Sequence, residues 1–216
     1  MRKFVVFAAL AVFGMFSAVS DAALLDVKST GESQLLGLDT RWTVAFNAGV
    51  AGDATVVTAP NPSWGVLPGS SWISNNAIAT SGGASVGFYT FATSFTVPAT
   101  AVTANVSFDY LFDNLVTVSL NNTAIPGAAF NTNGFNLPAK SLSINLGGAN
   151  GLLLGSNTLT FTVEQLAAND PNPVGLNVKI TSATWDTQAA IPEPVSMSVF
   201  AGLLGLGLVA KRRRLV

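Results

Sequence analysis

The sequence predicts an all-β domain, an antiparallel β-sandwich with jelly-roll topology, flanked by an N-terminal signal helix and a C-terminal transmembrane helix. Three observations predict the sandwich. Six runs between the chain ends alternate apolar and polar residues with period two, the signature of half-buried strands. Turn-forming residues fall between the runs. No stretch of the body sustains helical spacing over three turns.

The runs follow in order. Tyr89, Phe91, Phe95 and Val97 alternate with Thr90, Ala92, Ser94 and Thr96, and Val106, Phe108, Tyr110 and Phe112 repeat the pattern. Val116, Val118 and Leu120 come next, then Leu142, Ile144 and Leu146. Leu159, Phe161 and Val163 stand against threonines, and Leu176, Val178 and Ile180 close the series. Between them lie Asp113-Asn114, Asn121-Asn122, Pro126-Gly127, Gly147-Gly148 and the loop at 169–173, each a turn signal.

Composition agrees and removes several function classes. Only 10% of the 216 residues are charged, against about a quarter in ordinary soluble domains. With no His and no Cys, Ser-His-Asp triads, thiol catalysis, disulfides and the common zinc sites are excluded. Between residues 23 and 189 the only cations are Lys28, Arg41, Lys140 and Lys179, set against nine carboxylates. Such a body offers no track for phosphates, so nucleic acid is not a partner.

The remaining cations mark the ends. Met1-Arg2-Lys3 opens the chain, an apolar run covers residues 4–19, and small residues follow at Ser20, Ala22 and Ala23. This is the layout of a secretory signal peptide over 1–22. Cleavage after Ala22 places Ser20 at −3, and cleavage after Ser20 places Ala18 there. At the other end, Ile191-Pro192-Glu193-Pro194 precedes the apolar stretch 195–210 and the cluster Lys211, Arg212, Arg213 and Arg214. Sixteen residues make a helix of about 24 Å, which inserts in a core of about 30 Å with local thinning. The basic cluster stays cytoplasmic and the body lies on the far side, the orientation a signal peptide also imposes. Pro192 and Pro194 hold the chain extended beside the membrane, with Glu193 between them.

Residues 190–216 resemble the PEP-CTERM sorting signals of Gram-negative bacteria, with IPEP where many members have VPEP. The resemblance implies exosortase as partner, a membrane-anchored precursor, removal of the helix, and a cell-surface or extracellular-matrix destination. The body, 23–189, resembles more loosely a group of such proteins with a galactose-binding-like sandwich. The matching pieces are Trp72-Ile73-Ser74, residues 89–95, Phe112-Asp113-Asn114, residues 118–122, Asn157-Thr158-Leu159 and residues 172–176.

Candidate chemistry in the body is sparse. Gly83-Ala84-Ser85-Val86-Gly87 matches G-x-S-x-G, but Ser85 leads into a strand and no histidine base exists. Asp109 and Asp113 are the best carboxylate pair, yet four residues of extended strand separate them by about 13 Å, too far for either glycosidase geometry. Asp26, Asp39, Asp53 and Asp109 are oxygen donors for a structural calcium ion, without a D-x-D-x-D-G loop to fix the set. Sugar recognition needs aromatic platforms and amides. Among Trp42, Trp64, Trp72 and Trp185, the loop residues Trp64 and Trp72 are the candidate glycan contacts, with Asp113 and Asn114; core packing is the competing role for each ring. The expected function is a non-enzymatic surface or matrix protein associated with exopolysaccharide and biofilm that binds extracellular polysaccharide. The alternatives are an envelope protein without a specific ligand and a polysaccharide-modifying enzyme.

Overall fold

The computed structural model describes residues 22–78, 84–147, 151–166 and 172–187, all within one compact unit, Asp21–Thr187. Residues 1–21 of the expected signal peptide and the whole expected sorting segment 190–216, including the apolar stretch 195–210, lie outside the described residues.

The first six strands are β1 (Ala23–Leu24), β2 (Gln34–Leu35), β3 (Leu38–Phe46), β4 (Gly52–Val56), β5 (Ile73–Ser74) and β6 (Gly87–Val97). The rest are β7 (Ala101–Asp113), β8 (Leu115–Leu120), β9 (Thr123–Phe130), β10 (Lys140–Asn145), β11 (Gly155–Gln165) and β12 (Gly175–Thr187). Among the described residues every strand pair is antiparallel, and there is no helix. The hydrogen-bonded path runs β10-β7-β12-β5-β4-β3-β6-β11-β8-β9, with β1 added to β12 and β2 to β3.

This path folds back on itself. Phe108 and Tyr110 of β7 meet Phe161 of β11 edge-on, with centroids 5.7 and 5.4 Å apart, although four strands of the path lie between β12 and β11. Phe112 similarly lies 5.9 Å from Phe130 of β9. The half β10-β7-β12 therefore faces the half β6-β11-β8-β9, giving the sandwich the alternation predicts. In β11, Leu159, Phe161 and Val163 are fully buried while the threonines between them are not. Each such side chain contributes about 1.5–3 kcal/mol by leaving water.

Six of these strands coincide with the alternating runs; β1 to β5 and β9 do not. The Pro126-Gly127 turn is corrected here. Both residues lie inside β9, which ends the path and, among the described residues, pairs only with β8. An edge strand tolerates proline because its outward N–H needs no partner. The register shifts between Thr117 and Ser119, and Gly127 adopts φ +76°, so the irregularity is a bulge. The Asn121-Asn122 turn is as expected. It joins β8 to β9 through two residues at φ +52° and +64°, the hairpin geometry that asparagine tolerates.

A second apolar cluster of Val57, Trp64, Leu67, Trp72 and Leu111 is joined by Phe135 and Ala139. It lies between the loops 57–72 and 131–139 and β7. Gly134 bridges backbone-to-backbone with Phe112, the Phe112 N–H donating to the Gly134 carbonyl at 3.1 Å. A Cβ at Gly134 would fall inside contact distance of the Phe112 ring. Gly134→Ala is therefore expected to cost about 1–3 kcal/mol through overpacking, read as a lower urea midpoint with unchanged slope.

Candidate functional site

The four candidate glycan contacts come together at one place, where β7 ends and β8 begins. The loop after β4 delivers Trp64. Its N–H donates to the Asn61 carbonyl at 2.9 Å, and the Gly65 N–H donates to the Phe135 carbonyl at 2.7 Å, tying this loop to the one before β10. The Trp64 ring stacks on Trp72 with centroids 4.1 Å apart and planes inclined by 28°. Trp72 Nε1–H donates to the Gly65 carbonyl at 2.8 Å, closing the loop over the stack.

Both rings are buried, with 6% and 4% of their surface exposed. Gly175, the first residue of β12, leaves room for them. A Cβ there would stand 2.6 Å from Trp64 Cη2 and 3.0 Å from Trp72 Cε3. Trp42 is fully buried in the main core, donating from Nε1 to the Lys28 carbonyl at 3.0 Å, and Trp185 packs half-buried against that core.

Trp64 Nε1–H donates to Asp113 Oδ2 at 2.8 Å, and the Asn114 side-chain amide donates to Asp113 Oδ1. Asn114 Oδ1 in turn accepts from the Leu166 N–H at 3.3 Å. The Asp113-Asn114 peptide is cis. Burial pushes the Asp113 carboxyl up to about 6, opposed by the Trp64 hydrogen bond, which favours the charged form. Both Asp113 oxygens are thus engaged by protein donors.

An open cleft of about 180 Å³ borders this group. Trp64, Asp113 and Asn114 line it, together with Asn61, Ser63, Asn133 and Asn172. Sequence reasoning missed the last four. They lie on three separate loops, and only the asparagine-rich composition of those loops hinted at them. Carboxamides and hydroxyls around the edge of an indole can donate to and accept from sugar hydroxyls, and among the described residues no cation lines the cleft.

The other candidates are dispersed. Asp109 accepts a 2.5 Å hydrogen bond from the Ser141 hydroxyl across β7 and β10. Asp26 pairs with Arg41 at 2.9 Å and with Lys28 at 3.7 Å. Asp39 is fully buried and accepts from the N–H groups of Gly31 at 2.6 Å and Arg41 at 3.0 Å; its carboxyl is raised, mainly by burial. Asp53 lies on β4. Among the described residues no three acidic side chains converge as calcium ligands would. The Ser85 carbonyl accepts from the Tyr89 hydroxyl at 3.1 Å, just ahead of β6, and Gly83 lies outside the described residues. Pro192, Glu193, Pro194, Lys211, Arg212, Arg213 and Arg214 also lie outside them.

No protein-family model matches the chain, and no curated protein matches it. Among solved structures, TmCBM61 in complex with β-1,4-galactotriose is similar at TM-score 0.40 and 16% identity, over 71% of this chain and 92% of that one. A CBM35 from Paenibacillus barcinonensis is similar at TM-score 0.31 and 16% identity, over 64% of this chain and 92% of that one. The arabinose-bound α-L-arabinofuranosidase MgGH51 gives TM-score 0.37 and 17% identity, over 76% of this chain but only 26% of that one. Each is a distant likeness.

Proposed function

We propose that this chain is an exported, exosortase-sorted surface or extracellular-matrix protein whose β-sandwich binds extracellular polysaccharide without modifying it. The observation that carries the binding half is the cleft at Asp113-Asn114. Amide and hydroxyl groups from separate loops converge there on the edge of a rigidly held indole, with no cation among the described lining residues. That chemistry suits hydroxyl-rich, uncharged ligands. A binding role is favoured over catalysis because Asp113 is engaged by Trp64 and Asn114 while Asp109 is engaged by Ser141. The jelly-roll, galactose-binding-like description of the sandwich belongs to the same proposal.

The sorting half rests on the order of features in the sequence: basic start and apolar run at one end, Pro192-Glu193-Pro194, apolar stretch and Lys211-Arg214 at the other. Mass spectrometry of the surface form is expected to find a terminus near Pro192–Pro194 that disappears without exosortase. Intact chains ending in the basic cluster at the surface would refute processing.

Binding is tested on a glycan array with the purified protein and its Asn133→Ala variant. Asn133 is exposed on a loop, so the fold should survive. The variant is expected to bind neutral glycans about fivefold more weakly, the worth of one net hydrogen bond of about 1 kcal/mol. Equal binding by both proteins would remove the cleft from the account.

A further inference from the structure

A second depression, of about 380 Å³, lies over β6-β11-β8-β9, bounded in part by Phe130, whose ring also packs against Tyr110 and Phe112 of the core. Its floor follows from the register. Glu164 stands between Phe88 of β6 and Leu115 of β8, and Thr162, one step further along the same face, lies beside Thr117. Asn131, just past β9, closes one side.

Phe88 is unusual among the aromatic residues in being 49% exposed at the end of a strand whose next ring, Tyr89, is buried. Its backbone is fixed on both sides. The Phe88 N–H donates to Asn47 Oδ1 at 2.9 Å, and the Asn47 N–H donates to the Phe88 carbonyl at 2.8 Å. Gly87, at φ +145°, lets the Asn47 amide approach where any Cβ would collide with it. A half-exposed apolar ring on a backbone pinned from both sides, beside polar groups, has the form of a binding platform.

We infer that this groove is a carbohydrate subsite for a neutral polysaccharide chain, distinct from the cleft at Asp113-Asn114. The inference rests on the carbohydrate-binding reading above. Phe88 lines the groove with an exposed ring, and the negative quadrupole of an aromatic face attracts the C–H face of a pyranose. The side chains of Glu164, Thr117, Thr162 and Asn131 hold no hydrogen bond or ion pair among the described residues, so their oxygens and amide are free to meet sugar hydroxyls. Glu164 disfavours anionic sugars, and among the described residues no cation lines the groove to offset it. Lys140 sits 4.9 Å over the ring of Phe130, which lines the groove, without lining it itself. The volume falls within the range of about 300–1,000 Å³ typical of small-ligand sites.

The two depressions are neighbours along the chain. Asn114 and Asn133 line the cleft, whereas Leu115 and Asn131 line the groove. One extended glycan spanning both would bind more tightly as its length grows.

The test titrates the full mature protein with neutral oligosaccharides of increasing length, alongside Phe88→Ala, Thr162→Val and Asn133→Ala. Phe88→Ala is expected to weaken binding at least tenfold, and Thr162→Val severalfold, with circular dichroism unchanged in both. Asn133→Ala should add to either loss. Undiminished binding by Phe88→Ala and Thr162→Val, while Asn133→Ala weakens it, overturns the groove and leaves the cleft standing. If the wild-type protein binds no neutral glycan of any length, both fall together.

Discussion

Replacing Trp64 with alanine is expected to lower the stability of the sandwich by about 4–5 kcal/mol, among the largest single-site effects in the protein. Three losses combine. The stack on Trp72, at 4.1 Å between centroids, is removed, and a cavity opens beneath the loop that carries it. Asp113 also loses the donor on Oδ2 while keeping only the Asn114 amide on Oδ1, and a buried carboxylate oxygen left without a donor is costly. Trp64→Phe isolates the last term. It preserves most of the ring but not Nε1–H, so about 1–3 kcal/mol should disappear and the Asp113 carboxyl should titrate higher still. Urea unfolding followed by circular dichroism checks both variants. A ring serving only as a solvent-facing platform would give a loss within about 0.5 kcal/mol on truncation.

The second large effect is on pH. Burial raises the Asp113 carboxyl from 3.8 to about 6 in the folded state, so between these values the folded protein holds a proton that the unfolded chain has released. Stability from this group is fully present below about pH 4 and declines as pH rises through about 6. A shift of this size corresponds to about 2–3 kcal/mol at most. Asp39 is shifted in the same direction, chiefly by burial, and adds to the decline. Urea midpoints for the wild type should fall from about pH 4 to about pH 6 and level off towards pH 7. Asp113→Asn should flatten much of that slope, since the amide cannot ionise. It does not restore both hydrogen bonds, because its NH2 group faces either the Trp64 or the Asn114 donor. The variant is therefore expected to resemble the wild type near pH 4 and to differ from it near pH 7. An unchanged slope in the variant would assign the pH dependence to other groups.

Much of the sandwich was legible because its central strands are two-sided. In β6, β7, β8, β11 and most of β12, inward apolar residues alternate with Thr, Ser and Asn, and burial then decides the register. The strands that escaped notice break this rule for local reasons. β3 carries buried Asp39, and its pairing with β4 shifts between Asp39 and Thr43, which interrupts the alternation. β9 contains Pro126 and Gly127, residues that read as a turn until an edge position and a bulge accommodate them. β1, β2 and β5 are two residues each, too short for any period.

The candidate site was legible in residue type and not in geometry. Trp64 and Trp72 lie eight positions apart on an irregular loop, so nothing in their spacing foretells that they stack or that Trp64 donates to Asp113, 49 positions on. Asn61, Asn133 and Asn172 are ordinary loop asparagines until long-range packing brings them to one cleft. Phe88 reads as one more aromatic residue of a strand; its exposure depends on the register of β6 against β11.

The central claim, that the sandwich binds neutral extracellular polysaccharide, is tested most directly by sedimenting the mature protein with exopolysaccharide purified from the producing cells. The protein is expected to co-sediment, free neutral oligosaccharides of the same composition to compete it off, and raised salt concentration to change little. Recovery of all the protein in the supernatant would contradict it, as would co-sedimentation that salt abolishes and neutral sugars leave untouched.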